Sequence, residues 1–209
     1  MKIICKTTLL AATAKRETRI TINLDDAESL EWGISTLTFA DGESGVTIDW
    51  GDGTVELISD TKEISHAYPA VGVYTVRISD QISSLGCSAS TGPIEFRKIY
   101  PPFILAFEST AEKLTAISGY CFSYADHMES FNCEGSGIKE LKSMAFRLCD
   151  ALSGTLRLKS VDTLAPKTFY SCGSVTELVF DNANYEAISA LDGFATKFGA
   201  ENALIRFES

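Results

Sequence analysis

The chain has 209 residues, 45% of them hydrophobic and 22% charged, the balance of an ordinary globular protein with enough apolar material for one large domain or two small ones. No run approaches the roughly 18 uninterrupted apolar residues of a membrane helix, so membrane insertion is not expected. The formal charge of −10 is spread evenly, with 9 basic and 14 acidic side chains in residues 1–100 and the same numbers in 101–209. No Lys/Arg cluster is left to neutralise phosphates, which excludes nucleic acid as a partner.

In chain order, the opening M-K-I-I-C-K-T-T-L-L-A-A-T-A-K-R offers a Lys at position 2 and an A-x-A at 12–14, but Lys6 interrupts its apolar stretch. It reads as the start of the folded chain and not as a signal peptide. Six cysteines follow along the chain: Cys5, Cys87, Cys121, Cys133, Cys149 and Cys172. They contain no C-x-x-C, and neither His66 nor His127 stands at zinc-ligand spacing from a Cys pair. The intervals are too wide for a compact disulfide scaffold, and buried free thiols are expected.

The first half alternates apolar and polar residues in short runs: T-R-I-T-I-N-L (18–24), S-T-L-T-F (35–39), G-V-T-I-D-W (45–50) and V-Y-T-V-R-I (73–78). Turn residues D-G-E-S-G and G-D-G-T separate two of them, the pattern of an antiparallel sandwich. The run I-D-W-G-D-G-T-V, followed by H-A-Y-P-A-V-G-V-Y-T-V, resembles the signature of PKD domains over about residues 35–79. That resemblance implies an Ig-like β-sandwich in which W-G-D-G-T forms a strand end and tight turn. Asp49 and Asp52 lack the alternating acids and distal Glu of a calcium loop, so Asp52 is expected to hydrogen-bond its own turn. His66 has no nucleophile beside it in sequence and reads as a packing or turn residue.

The second half repeats itself. Phe122, Phe146 and Phe169 stand 24 and 23 residues apart. Eight residues before them lie Leu114, Ile138 and Val161, and five before them Ile117, Leu141 and Leu164. Three residues after come Ala125, Cys149 and Cys172, and six after come Met128, Leu152 and Val175. An insertion within S-G-T at 153–155 accounts for the longer spacing. The ends F-N-C, L-R-L and L-V-F read as short strands with one face buried, and the segments around each Phe as helical or turn-like. A unit this small cannot bury its own apolar face, so neighbours must stack into ladders. The order of columns resembles the BspA-type leucine-rich repeats of bacterial surface proteins, with A-F-x-x-C-x-x-L as the recurring core, over about residues 110–181. At the ends, P-P-F-I-L-A-F (101–107) reads as a linker turn into an opening strand. Residues 184–198 read as a capping helix with Tyr185, Ile188 and Leu191 on one face, and A-L-I-R-F as a closing strand with Ala203, Ile205 and Phe207 inward.

The expected fold is therefore α+β overall. Residues 1–99 form an Ig-like antiparallel β-sandwich, and 100–209 a short leucine-rich-repeat solenoid of about three 23–24-residue repeats with a capping helix and strand. No G-x-S-x-G, P-loop, dinucleotide fingerprint or H-E-x-x-H occurs. No acid pair stands out, and Cys149 and Cys172 have no basic neighbour to activate them, so no catalytic residue and no cofactor is expected.

If the repeat strands form the concave wall of a solenoid, its outward residues are Ser130, Asn132 and Glu134, then Thr155, Arg157 and Lys159, then Glu177, Val179 and Asp181. Both resemblances imply adhesion through a protein or glycan on a cell surface. The alternative is a virion component, a tail or capsid accessory contacting a receptor or other virion proteins. Export separates these readings: an adhesin needs a signal, which the N-terminus does not supply convincingly, whereas a virion part is assembled in the cytosol with its thiols unpaired. A cytosolic regulatory binding protein is the third reading.

Overall fold

The computed structural model describes residues 15–25, 30–60, 64–87, 104–190, 199–200 and 202–209. The N-terminal run tested as a signal lies largely outside them, as do Cys5, Pro101–Phe103, Leu191 and the proposed boundary at 99/100.

Among the described residues, eight strands make the first half: β1 (Glu17–Leu24), β2 (Glu31–Ile34), β3 (Thr36–Phe39), β4 (Val46–Asp49), β5 (Val55–Ile58), β6 (Ile64–Ala67), β7 (Gly72–Ser79) and β8 (Ile82–Gly86). All their mutual pairings are antiparallel: β1 with β7, β7 with β4, β4 with β5, β3 with β8 and β2 with β6. Alternation sets the faces. Along β1, Ile20, Ile22 and Leu24 are buried and Arg19 is exposed.

In the second half, β9 (Ile104–Ser109), β11 (Ser130–Asn132), β13 (Gly154–Arg157), β15 (Val175–Asp181) and β16 (Leu204–Glu208) line one wall. The two-residue strands β10 (Ala116–Ile117), β12 (Glu140–Leu141) and β14 (Thr163–Leu164) line another. Pairing within each wall is parallel, as stacking of like segments requires. The result is a solenoid of about 4 turns. Every expected column is buried: Leu114, Ile138 and Val161 are 0% exposed, as are Phe122, Phe146 and Phe169. The three Phe rings step up the stack, Phe122 to Phe146 at 5.2 Å and Phe146 to Phe169 at 5.0 Å, the second pair nearly parallel at 16°.

The segments around the Phe residues are turns with an unusual backbone. The residues two before and two after each Phe have positive φ: Tyr120 and Tyr124, Met144 and Leu148, Lys167 and Ser171. A left-handed non-glycine residue costs roughly 1–2 kcal/mol. What offsets that cost is a second set of rungs. Phe122 N–H donates to Ala145 O at 2.7 Å, Tyr124 N–H to Arg147 O at 2.7 Å, Phe146 N–H to Thr168 O and Leu148 N–H to Tyr170 O, both at 2.8 Å. Each turn thus hydrogen-bonds to the next coil through its main chain.

Two sheets run through both halves. One has the order β11-β9-β1-β7-β4-β5 and the other β14-β12-β10-β8-β3. The crossing strands change partners' direction: β8 pairs antiparallel with β3 and parallel with β10, and β9 pairs antiparallel with β1 and parallel with β11. One row of side chains therefore passes Leu37, Leu85, Ile117, Leu141 and Leu164 without a break, and another passes Val76, Ile20, Phe107 and Phe131. The first half covers the open end of the solenoid, where an uncapped stack would present bare strand edges.

Two expectations need correction. The described chain is mostly β, with a single short α-helix, α1 (Tyr185–Ser189), preceded by a 3-10 turn at Asn182–Asn184, so "α+β" overstates its helix. Within α1, Ile188 is fully buried but Tyr185 is 51% exposed, its ring edge resting on Phe207 at 5.0 Å. Strands β2, β5, β6 and β8 come in addition to the four runs read from alternation. No helix among the described residues is long and apolar enough to cross a membrane.

Candidate interaction face

On the wall made by β9, β11, β13, β15 and β16, alternation turns every second side chain outward, and the shared sheet extends that face onto β1, β7, β4 and β5. Register defines its rows. One runs Ser130, Ala106, Thr21, Thr75, and the next Asn132, Glu108, Arg19, Arg77, Asp49, Val55. Beyond β11 the face continues on the three-stranded sheet β13-β15-β16, with Thr155 beside Glu177 and Leu204, and Arg157 beside Val179 and Arg206.

Ser130 and Asn132 are exposed at the junction of the two halves, where the face sinks into a cavity of about 540 Å³. Its floor is Ala106 flanked by Thr21 and Thr75; Arg19, Arg77, Glu108, Ser130 and Asn132 stand around it. The two arginines are register partners on neighbouring strands. Between them sits Glu17, only 4% exposed, whose Oε1 accepts from Arg19 Nε at 2.7 Å and lies 3.9 Å from Arg77 Nε. Burial pushes the Glu17 carboxyl up, but hydrogen bonds from Arg19 and Lys15 outweigh it and hold the group below its ordinary value. Glu17 is a fixed charge under the arginine pair.

The remaining expected face residues are placed differently from one another. Thr155 Oγ1 donates to Glu177 Oε2 at 2.9 Å, and Arg206 Nη1 lies 3.0 Å from Glu177 Oε1; these two bonds hold the Glu177 carboxyl below its ordinary value. Arg157 and Lys159 both reach Glu208, at 3.1 and 3.8 Å, and Arg206 reaches it at 3.2 Å. This end of the face is a closed ion network. Val179, flanked by Arg157 and Arg206, is 0% exposed and offers a ligand nothing, which corrects its place among the outward residues. Glu134 stands just past β11, in a turn where its N–H donates to Asn132 Oδ1 at 3.0 Å. Asp181 caps the 3-10 turn by accepting from Ala183 N–H at 2.8 Å. Sequence reasoning missed Arg19, Thr21, Thr75, Arg77, Ala106 and Glu108. The alternation T-R-I-T-I-N-L does turn Arg19 and Thr21 outward, but nothing local says that β1 lies beside β9.

The other candidate motifs are structural. Asp52 Oδ1 accepts from Thr54 N–H at 2.9 Å, as expected of a turn, and its Oδ2 meets His66 Nε2 at 2.8 Å. His66 in turn stacks on Trp50 at 4.8 Å and meets Tyr68 edge-on at 4.7 Å, while Tyr68 donates to Trp50 O. Asp49 accepts from Gly51 N–H at 3.0 Å and faces Arg77 at 3.5 Å. Cys87, Cys121, Cys133, Cys149 and Cys172 are free and buried. They do more than fill space: Cys149 Sγ donates to Phe122 O at 3.0 Å and Cys172 Sγ to Phe146 O at 2.7 Å, each tying a coil to the one before it. Burial pushes the Cys133 thiol up to about 12 and the Cys121 thiol well above its ordinary value.

Residues 105–191 match the family model described as BspA type leucine rich repeat region, in six copies. The match begins in β9 and runs past α1, so it covers more than the 110–181 read from the columns. It does not include residues 35–79, where the PKD resemblance rests on its motif residues alone. No curated protein and no solved structure matches the chain. Leucine-rich repeats generally mediate protein binding.

Proposed function

We propose that this protein, with BspA-type repeats over residues 105–191, is a non-enzymatic binding module of the bacterial surface-protein kind that contacts a protein or glycan through its strand face. The observation that carries the reading is the continuity of that face: Ser130 and Asn132 of the repeats meet Arg19 and Arg77 of the N-terminal half around one cavity. The N-terminal half is read as a PKD-like, Ig-like unit serving as the solenoid's cap, supported by the packing of Trp50, His66 and Tyr68 around the W-G-D-G-T turn. A binding role without catalysis is supported by the thiols, which sit in the core as hydrogen-bond donors, and by carboxylates engaged with arginines or turn N–H groups.

The test is a screen of the purified protein against arrayed glycans and immobilised cell-surface proteins, with two variants. Asn132→Arg places a bulky charge in the middle of the face, and Lys142→Glu changes an exposed residue beside the other wall. The expected result is a hit weakened at least about tenfold by Asn132→Arg, the effect of one badly placed polar contact, and unaffected by Lys142→Glu. No hit, or equal loss in both variants, contradicts the reading.

A further inference from the structure

We infer that the cavity at the junction is a subsite for a carboxylated sugar, such as a uronic or sialic acid residue of a glycan, held by Arg19 and Arg77 with Thr21, Thr75, Ser130 and Asn132 around it. The inference rests on the reading of the strand face as the contact surface and gives that surface its ligand chemistry.

Three observations support it. The first concerns the arginines. Arg19 and Arg77 stand side by side, and Arg19 is anchored through Nε to the buried Glu17. Their outer contacts are long: Arg19 Nη1 to Glu108 Oε2 and Arg77 Nη1 to Asp49 Oδ2 are each 3.5 Å. Good charge-assisted bonds of this type measure about 2.7–2.9 Å. Glu108 is 50% and Asp49 36% exposed, so both are carboxylates in contact with water that an incoming carboxylate replaces at little cost. At the other end of the face the opposite holds, since Arg157 and Arg206 are taken up at 3.1 and 3.0 Å by Glu208 and Glu177. The guanidinium pair at the junction is the one with capacity left, and its planar forks suit a carboxylate.

The second observation is local charge. The chain carries −10 and repels anions in general. Of the charged side chains that line the cavity, however, Arg19 and Arg77 are cationic and only Glu108 is anionic. A carboxylate meets two cations and one acid in that lining.

The third is the lining. A cavity of about 540 Å³ lies in the usual range for small-ligand sites, about 300–1,000 Å³. Its polar lining is hydroxyl and amide: Thr21, Thr75, Ser130 and Asn132. These groups donate and accept, as sugar hydroxyls do. A peptide side chain needs an apolar anchor pocket, and the cavity does not offer one: its apolar lining is Ala106 and Phe107, the latter 1% exposed.

The experiment is ligand-observed NMR on the full chain with four probes in turn: glucuronate, N-acetylneuraminate, neutral galactose, and the tetrapeptide Gly-Asp-Glu-Gly. Saturable binding of at least one acidic sugar is expected, weakening as salt rises, with no binding of galactose or the peptide. Arg77→Gln should weaken it at least about tenfold and Ser130→Ala by about two- to tenfold, while Arg206→Gln leaves it unchanged. Ser130 is an exposed strand residue, so its variant gives a reading even if Arg77→Gln folds poorly. Silence from both acidic sugars at about 10 mM, roughly ten times a weak Kd of about 1 mM, overturns the inference. So does equal binding of galactose, preference for the peptide, or indifference to Arg77→Gln in a folded protein. If the array screen gives a hit that Asn132→Arg weakens but no acidic sugar binds here, the subsite falls and the contact face stands. If the screen gives nothing, the face itself falls.

Discussion

In the solenoid each buried position is packed against the next copy of itself, whereas in the N-terminal half each buried position meets a different partner. Phe146 lies between Phe122 and Phe169, and Leu141 between Ile117 and Leu164. By contrast Trp50 meets Trp32 edge-on, His66 face-on and the Tyr68 hydroxyl through its carbonyl. Ladders are redundant, since a coil has two similar neighbours. A cluster of unlike residues has no such spare contact. Because two sheets run through both regions, the difference does not divide the molecule into independent halves: a defect in the ladder is felt in the cluster.

The largest expected effect comes from cutting the ladder at its centre. Phe146→Ala removes a fully buried ring in contact with Phe122, Phe131 and Phe169, and should cost about 3–5 kcal/mol in urea-unfolding experiments. A loss below about 1 kcal/mol would show that the column is not a shared core. Next is Gly137, where the main chain runs close against Glu112. A Cβ there would stand 1.8 Å from the Glu112 carbonyl oxygen, so Gly137→Ala forces main chain apart and should cost about 2 kcal/mol or more in thermal melts. An unchanged melting temperature would mean that the coils have slack.

Acid should act on the cluster through Asp52. Burial alone raises the Asp52 carboxyl, but hydrogen bonds from His66 and from Thr54 outweigh it and hold the group below its ordinary value. A depressed folded value means that the stabilisation is complete above the ordinary carboxylate value and is lost as pH falls from there through the folded one. The urea midpoint should therefore drop as pH falls below about 4, and the drop should be smaller in Asp52→Asn. An equal drop in the variant would remove Asp52 from the account. The smallest perturbation is a thiol probe. Ellman titration should find the five described thiols unreactive in the native protein and all six cysteines reactive after denaturation without reductant. A denatured protein with no free thiol would contradict the hydrogen-bonded Cys149 and Cys172.

The same contrast explains what could be read from residues alone. A repeat states its packing several times, so Phe122, Phe146 and Phe169 announce a column before any coordinates are known, and the strand face follows from alternation. Pairings between distant segments are stated nowhere. Ser79 lies beside Glu17 and Glu108 beside Arg19 only because tertiary contacts place them there, so the cavity that Arg19 and Arg77 share with Ser130 and Asn132 was half visible. Val179 followed the period and was still misplaced: Leu178, Val179 and Phe180 are all buried, so alternation breaks in the middle of β15. Apolar spacing at Tyr185 and Ile188 does fall in a helix, Tyr185–Ser189, but spacing does not say what covers each residue. Tyr185 turned out to be a half-exposed ring at the edge of Phe207.

Both tryptophans, Trp32 and Trp50, lie in the N-terminal half, so their fluorescence reports that half alone. The direct test is urea unfolding of wild type and Phe146→Ala followed by tryptophan fluorescence and far-ultraviolet circular dichroism together. A single continuous core predicts coincident transitions in the wild type, and a fall in the fluorescence midpoint of Phe146→Ala that matches the fall seen by circular dichroism. A fluorescence midpoint that stays put while circular dichroism splits into two steps would contradict it.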